Sequence, residues 1–170
     1  RRWTDAFLGV IHWLWLFPLR ALGDLLVFKK SRAKLGTRFI EGVSGGGALP
    51  PNIDEFCWSV GVRFFDGYGL TETAPVVAVR PFSKPVFGTI GTPLDCCEVR
   101  IVDTEGRELP PGQKGCVLVR GKNVMKGYYR KQELTDKVLS PDGWFNTGDI
   151  GLKTLNGEII LRGRMTVIIA

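Results

Sequence analysis

The spacing of apolar residues changes near residue 85, and this change constrains the fold more than any other feature of the chain. Before it, apolar residues spaced three or four apart alternate with short apolar runs, which predicts helices alternating with strands. The predicted elements are, in order, a helix over residues 3–35 that breaks at Pro18, a strand in TRFIEGVS, a helix in PNIDEFCWSVG and a strand in VRFF. Such alternation is typical of an α/β layer with a mostly parallel sheet.

The second half of the sequence combines short strands with clusters of turn residues. Turn clusters occur at Glu105-Gly106 and at Pro110-Pro111-Gly112, and one short helix is predicted within NVMKGYYRKQELTDKVL. The pair Asn156-Gly157 is typical of the type I′ turn that closes a β-hairpin. The fold class is therefore α/β, with part of a mostly parallel α/β sheet subdomain followed by a small antiparallel β-barrel subdomain.

Composition excludes several classes of function. The four cysteines form no CxxC pair and the single histidine is His12, which argues against a zinc site, a disulfide framework and a histidine-dependent hydrolase. Cysteines of this kind are typical of a reducing compartment, so we expect a cytoplasmic protein. The net charge of +6 comes without interleaved aromatic and basic residues, so we expect no nucleic-acid partner. The apolar stretch over residues 6–19 is shorter than the roughly 20 residues of a spanning helix, and it predicts a buried helix or a peripheral membrane contact.

A polar loop follows the predicted strand VRFF, in the sequence DGYGLTET. Ligands of α/β sheets collect beyond the carboxyl ends of the strands, where this loop lies. Gly67 and Gly69 permit close approach of the backbone, and Tyr68 offers a flat ring to a base. Thr71 offers a hydroxyl to a phosphate, and Glu72 offers a carboxylate to Mg²⁺. A plain glycine-rich turn with a half-buried tyrosine is the alternative, and spacing alone slightly favours it.

Three further features have the same ambiguity. The turn SGGGA, residues 44–48, follows the preceding strand and leaves room for a flat ring or an acyl chain, but plain strand-to-helix turns are common. Asp149 in GWFNTGDIG can bind the two hydroxyls of a ribose, or can be an ordinary turn residue. Arg164 can bind a hydroxyl or a phosphate, or can merely cap the end of the barrel.

The order of these features carries more information than any one of them. SGGGALP, DGYGLTET, GWFNTGD and RGR follow one another, with GTIGTPL and LVRGKNVMKGYY between them. This order resembles the acyl-adenylate-forming superfamily, which comprises acyl-CoA synthetases, adenylation domains of peptide synthetases and beetle luciferases. The resemblance extends from the first helix to Arg164.

The resemblance implies a role for each residue. Tyr68 would pack on adenine, Thr71 would bind the AMP phosphate, Asp149 would bind the ribose diol, and Arg164 would make a second ribose contact. The implied nucleotide-binding residues are Gly46, Gly47, Ala48, Asp66, Gly67, Tyr68, Gly69, Thr71, Asp149 and Arg164. Thr71 and Glu72 are the implied catalytic pair, and Glu72 is the implied metal ligand. The implied cofactors are ATP or AMP, Mg²⁺ and coenzyme A.

Leu70 in YGLTET favours acyl- and aryl-CoA synthetases, because peptide-synthetase adenylation domains usually carry proline there. ALGDLLVFKKSRAKLG resembles a helix of long-chain fatty acyl-CoA synthetases. We therefore expect an AMP-forming ligase that joins a medium- or long-chain fatty acid to CoA through acyl-AMP. A non-catalytic nucleotide- or acyl-binding remnant, an aryl-CoA ligase, a luciferase-like enzyme and a peptide-synthetase adenylation domain remain alternatives.

The resemblance also implies a division of the chain. Residues 1–85 would be the C-terminal part of the nucleotide- and acyl-binding subdomain, residues 86–163 the small barrel, and residues 164–170 the start of a hinge. The phosphate-binding loop and the C-terminal lid of the family have no counterpart in the sequence, so we expect the isolated chain to be inactive. After Arg164 the family usually has a hinge lysine or aspartate, whereas this sequence continues with Met165, Thr166 and Val167.

Overall fold

The computed structural model describes residues 14–36, 38–47, 49–81, 83 and 85–165. These residues form two compact units. The smaller unit holds the described residues up to Gly42 together with Phe56–Arg63. The larger unit holds Val43–Glu55 and the described residues from Phe64 onwards.

The smaller unit contains one long helix, α1. Its backbone is α-helical over residues 14–23, π-helical over Asp24–Phe28 and α-helical again over Lys29–Ala33. The predicted break at Pro18 is wrong, because the α-helix continues through that residue. A proline removes a single backbone donor, and a helix can absorb that loss without ending. Within the described ranges, no helix combines the length and apolarity needed to cross a bilayer.

An ion pair and a ring contact hold the smaller unit together. Arg32 donates from both terminal nitrogens to Asp24, at 2.6 and 2.9 Å, and the hydrogen bond lowers the pKa of that carboxyl. Arg32 also donates to the carbonyl of Val60 at 2.6 Å. The rings of Phe28 and Phe56 meet edge to face, with their centroids 6.3 Å apart.

The first sheet has the order β1-β2-β3-β4. Its strands are β1 Gly42–Ser44, β2 Phe64–Gly69, β3 Val76–Val79 and β4 Thr92–Pro93, and helix α2, Pro51–Ser59, lies between β1 and β2 in the chain. Gly42 N–H donates to the carbonyl of Arg63 and Gly45 lies beside Gly67, so β1 and β2 run in the same direction, as the alternation predicts. The pairs β2–β3 and β3–β4 are antiparallel, which makes the sheet mixed.

The second sheet is antiparallel throughout, with the order β5-β6-β7-β8. Its strands are β5 Cys97–Val102, β6 Gly115–Gly121, β7 Phe145–Lys153 and β8 Ile159–Arg164, and helix α3, Gln132–Val138, precedes β7. The hairpin predicted at Asn156-Gly157 joins β7 to β8, and Gly157 has φ 87°. The described strands do not close into the predicted barrel, because four strands are too few to close on themselves.

The apolar core of the larger unit lies between these two sheets. Val77 and Ala78 of β3 are fully buried and belong to one cluster with valines and isoleucines of the second sheet, namely Val99, Ile101, Val117, Val119 and Ile159. Full burial of a valine or isoleucine side chain stabilises the fold by roughly 1.5–3 kcal/mol. This packing confirms the α/β fold class, and it places the end of β2 beside β7 and β8.

Candidate functional site

A cavity of about 720 Å³ opens at the end of β2, within the larger unit. Its lining includes all but one of the residues predicted to bind nucleotide or metal, namely Gly46, Gly47, Asp66, Gly67, Tyr68, Gly69, Thr71, Glu72, Asp149 and Arg164. The exception, Ala48, lies outside the described residues. Residues separated by more than a hundred positions in the sequence therefore face one space.

The turn after β2 is fixed by sterics and by one buried hydroxyl. A Cβ atom on Gly69 would lie 1.7 Å from the carbonyl oxygen of Pro75, so only glycine fits there. Thr73 is fully buried, and its hydroxyl accepts from the N–H of Leu70 at 3.0 Å. The resulting 3₁₀ turn, Thr71–Thr73, presents two polar side chains to the cavity. The sequence prediction missed Thr73, which lies four residues after the end of β2 and three residues after the Leu70 N–H that its hydroxyl binds.

Tyr68 lines the cavity and is largely buried. Its side chain is 8% exposed, and its hydroxyl donates to Oδ2 of Asp149 at 2.5 Å. Burial, followed by this hydrogen bond, raises the pKa of Tyr68, so the phenol keeps its proton at neutral pH. Arg164 Nε lies 3.4 Å from the other oxygen of Asp149. One residue each from β2, β7 and β8 thus forms a connected polar group.

The backbone around Asp149 is held by its neighbours in β7. Gly148 has φ 71°, a left-handed conformation that favours glycine, and its N–H donates to the side chain of Asn146 at 3.0 Å. The N–H of Asp149 donates to the buried hydroxyl of Thr147 at 3.1 Å. These bonds orient the carboxylate towards the cavity, and they explain the residue types in the stretch NTGD.

Asp66 is a buried acid in the cavity wall. It is 5% exposed, and burial raises its pKa from 3.8 to about 6. The nearby guanidinium of Arg80 lowers the pKa, and the carboxylate of Asp54 raises it. Arg80 does not fully neutralise the charge of Asp66, because its guanidinium already forms a bidentate ion pair with Asp54. Both side chains of that pair are 1% exposed. The sequence prediction missed this pair, since neither residue lies in a recognisable motif.

Glu72 is held from the loop that follows β6. Its Oε1 accepts from the hydroxyl of Tyr128 at 2.8 Å, and its backbone carbonyl accepts from the N–H of Met125, also at 2.8 Å. Hydrogen bonding to Glu72, together with smaller effects of burial and charge, raises the pKa of Tyr128. Met125 and Tyr128 both lie in the stretch LVRGKNVMKGYY, to which the sequence prediction assigned no role.

The cavity is compatible with a magnesium–nucleotide complex. Its volume lies within the range typical of small-molecule sites, and its wall combines apolar surface with two aspartates, an arginine and two hydroxyl groups. No cluster of three metal-binding side chains occurs in the described part of the chain. Mg²⁺ commonly binds through one or two carboxylates plus substrate phosphates, so the single glutamate in the cavity wall fits the magnesium ion of a bound nucleotide better than it fits a resident metal centre.

A family model and several related proteins match this chain. A family model described as AMP-binding enzyme matches residues 14–129. The chain is 43% identical over 172 residues to the long-chain-fatty-acid–[acyl-carrier-protein] ligase AEE15, chloroplastic, of Arabidopsis thaliana, covering 91% of this chain and 24% of that protein. It is 37% identical over 167 residues to the long-chain-fatty-acid–CoA ligase FadD15 of Mycobacterium bovis, covering 98% of this chain and 26% of that protein.

A solved structure also matches this chain. The crystal structure of ATP-bound MatB from Rhodopseudomonas palustris matches with a TM-score of 0.67 and 34% identity, over 72% of this chain and 25% of that chain. The chain therefore spans about a quarter of the length of the curated relatives that it matches.

Proposed function

The chain belongs to the family of AMP-binding enzymes, and on this premise we propose that the complete protein is an ATP-dependent ligase that activates a long-chain fatty acid. The acid is first converted to an acyl adenylate with release of pyrophosphate. A thiol then takes the acyl group, and AMP is released. The observation that carries this proposal is the convergence of Tyr68, Asp149, Arg164 and the Thr71–Thr73 turn on one cavity.

The proposed binding mode divides the cavity into two ends. Adenosine occupies the end formed by Gly46, Gly47 and Tyr68, where the bare glycine backbone leaves space for a flat base. The ribose hydroxyls donate to Asp149, whose carboxylate retains lone pairs beyond those used by Tyr68 and Arg164. Tyr68 therefore has a second role, because its hydroxyl orients the ribose-binding carboxylate.

The phosphates occupy the other end, at the turn after β2. The hydroxyl of Thr71 donates to an oxygen of the α-phosphate, where negative charge grows as the fatty acid carboxylate attacks. Glu72 would hold the magnesium ion of MgATP, which when bound neutralises charge on the phosphates. A carboxylate oxygen of the acid forms a bond to the α-phosphorus, and the bond to the pyrophosphate oxygen breaks. In the second step the thiolate sulfur attacks the acyl carbon, and AMP leaves with the oxygen that came from the acid.

The names of the relatives support a long acyl chain as the substrate, and they suggest two alternative thiol acceptors. One relative is named as a ligase to acyl carrier protein and the other as a ligase to CoA. We propose CoA, with carrier protein as the alternative to be tested. We propose a reducing compartment such as the cytoplasm, because the spacing of the four cysteines in the sequence is not that of a disulfide framework. One of the relatives is named as chloroplastic, so the compartment needs its own measurement by fractionation.

The test is exchange of labelled pyrophosphate into ATP by the complete protein. Exchange should require a fatty acid, with the highest rate for a long chain, and amino acids should not support it. Glu72→Gln should lower the exchange rate at limiting Mg²⁺, and the exposed Glu105 provides a matched control as Glu105→Gln. Nucleotide binding without any exchange would favour a non-catalytic module, and exchange with amino acids would favour the peptide-synthetase branch.

A further inference from the structure

We propose that Tyr128 is a positioning residue for Glu72, so that the loop after β6 holds the carboxylate in place at the nucleotide cavity. The inference rests on the proposed function in one respect, the assignment of Glu72 to the magnesium ion of MgATP. Tyr128 is not among the residues that line the cavity. It would therefore act through Glu72 and make no contact with the substrate.

The loop between β6 and α3, residues 122–131, joins the segment after β2 at three points. The side-chain amide of Asn123 donates to the carbonyl of Val76 at 3.0 Å. The N–H of Met125 donates to the carbonyl of Glu72 at 2.8 Å. The hydroxyl of Tyr128 donates to Oε1 of Glu72, also at 2.8 Å. The first two bonds fix the backbone, and the third fixes the direction of the carboxylate.

The third bond leaves one carboxylate oxygen for a cation. Within the described residues, no hydrogen bond reaches Oε2 of Glu72, and Glu72 forms no ion pair. Groups that hydrogen-bond a metal-binding carboxylate fix its orientation, and their loss typically weakens metal affinity by about 10- to 100-fold. The hydroxyl of Tyr128 is such a group, because it hydrogen-bonds the Glu72 carboxylate.

A contact that serves only the fold would have a different signature. Loss of a merely structural hydrogen bond would lower the melting temperature and leave the magnesium requirement unchanged. The next residue provides a matched control, because Tyr129 is 82% exposed and its ring lies against the Arg130 guanidinium rather than at the cavity. Both tyrosines can lose their hydroxyl through a change to phenylalanine, and Tyr128 is only partly buried, so neither change should prevent folding.

The experiment measures binding of a non-hydrolysable ATP analogue by calorimetry, in the complete protein, over a series of Mg²⁺ concentrations. Tyr128→Phe should raise the Mg²⁺ concentration at half-saturation by about 10- to 100-fold, at a melting temperature close to that of the unchanged protein. Tyr129→Phe should leave it unchanged. In a Glu72→Gln background, adding Tyr128→Phe should cause no further rise, because the hydroxyl acts through that carboxylate.

Three results would overturn the inference, and they are distinguishable. If Glu72→Gln raises the Mg²⁺ requirement and Tyr128→Phe does not, the positioning role fails and the proposed function stands. If neither change alters the Mg²⁺ requirement, the assignment of Glu72 to the metal fails, and the inference fails with it. A Tyr128→Phe effect that persists at full size in the Glu72→Gln background would also refute action through Glu72.

Discussion

Asp66→Asn should stabilise the protein at neutral pH, although it removes an acid from a polar cavity. Asp66 is 5% exposed and its pKa is raised from 3.8 to about 6, mainly by burial. The folded state therefore holds the Asp66 proton to higher pH than the unfolded state does. The stabilising effect of protonated Asp66 is complete below pH 3.8 and is lost as the pH rises through 6. Asparagine resembles the protonated acid at every pH, so the variant keeps that effect.

The size of the difference follows from the two pKa values. Each tenfold change in a proton equilibrium corresponds to about 1.4 kcal/mol, so the rise to about 6 corresponds to roughly 3 kcal/mol at full ionisation. We expect the free energy of unfolding of the variant to exceed that of the unchanged chain by about 0.5 kcal/mol at pH 4 and by about 3 kcal/mol at pH 8.

The assay is urea unfolding of both chains across that pH range, with a carbon NMR titration of the Asp66 carboxyl as the independent measurement. A second change tests the cause. Asp54→Asn removes a charge that raises the pKa of Asp66 and leaves the Arg80 guanidinium uncompensated, so the pKa of Asp66 should fall. A difference in unfolding free energy that does not vary with pH, or an Asp66 that titrates near 4 in the unchanged chain, would show that burial does not raise the pKa of Asp66.

Two further predictions concern the same cavity. Tyr68→Phe should weaken AMP binding to the complete protein by roughly 10-fold, because Asp149 loses a charge-assisted hydrogen bond; unchanged affinity by calorimetry would contradict it. Gly69→Ala should lower the free energy of unfolding by about 3 kcal/mol, because its Cβ would clash with the Pro75 carbonyl. The control Gly45→Ala, whose Cβ would make only an ordinary contact at 3.8 Å, should change the unfolding free energy by less than about 1 kcal/mol.

Much of the fold is predictable from local pattern. The helix–strand alternation identifies the parallel pair β1–β2, and Asn156-Gly157 identifies the hairpin between β7 and β8. The antiparallel partners of β2 were not predicted, because the direction of a strand depends on where the chain returns. Closure into a barrel was predicted wrongly, because curling of a sheet is set by strand number and register rather than by turn chemistry.

The candidate site is also predictable only in part. The glycine-rich loops and the order of the motifs point to the residues that line the cavity, including Tyr68 and Asp149, which are 81 positions apart. The residues that support them carry no such signal. Arg80 resembles a surface arginine in the sequence, yet it is 1% exposed beside Asp54. Such pairs arise when packing brings distant elements together, so a single sequence does not reveal them. The domain boundaries near residues 85 and 163, and the individual roles of the cavity residues, stay predictions.

The central proposal is that the oxygen of the fatty acid attacks the α-phosphorus of ATP, and oxygen-isotope transfer measures this most directly. The complete protein is given ATP, Mg²⁺, CoA and a long-chain fatty acid labelled with ¹⁸O in its carboxylate, and the released nucleotide is examined by mass spectrometry. We expect AMP that carries one ¹⁸O atom for each acyl thioester formed. Unlabelled AMP, or ADP with the label in inorganic phosphate, would contradict it.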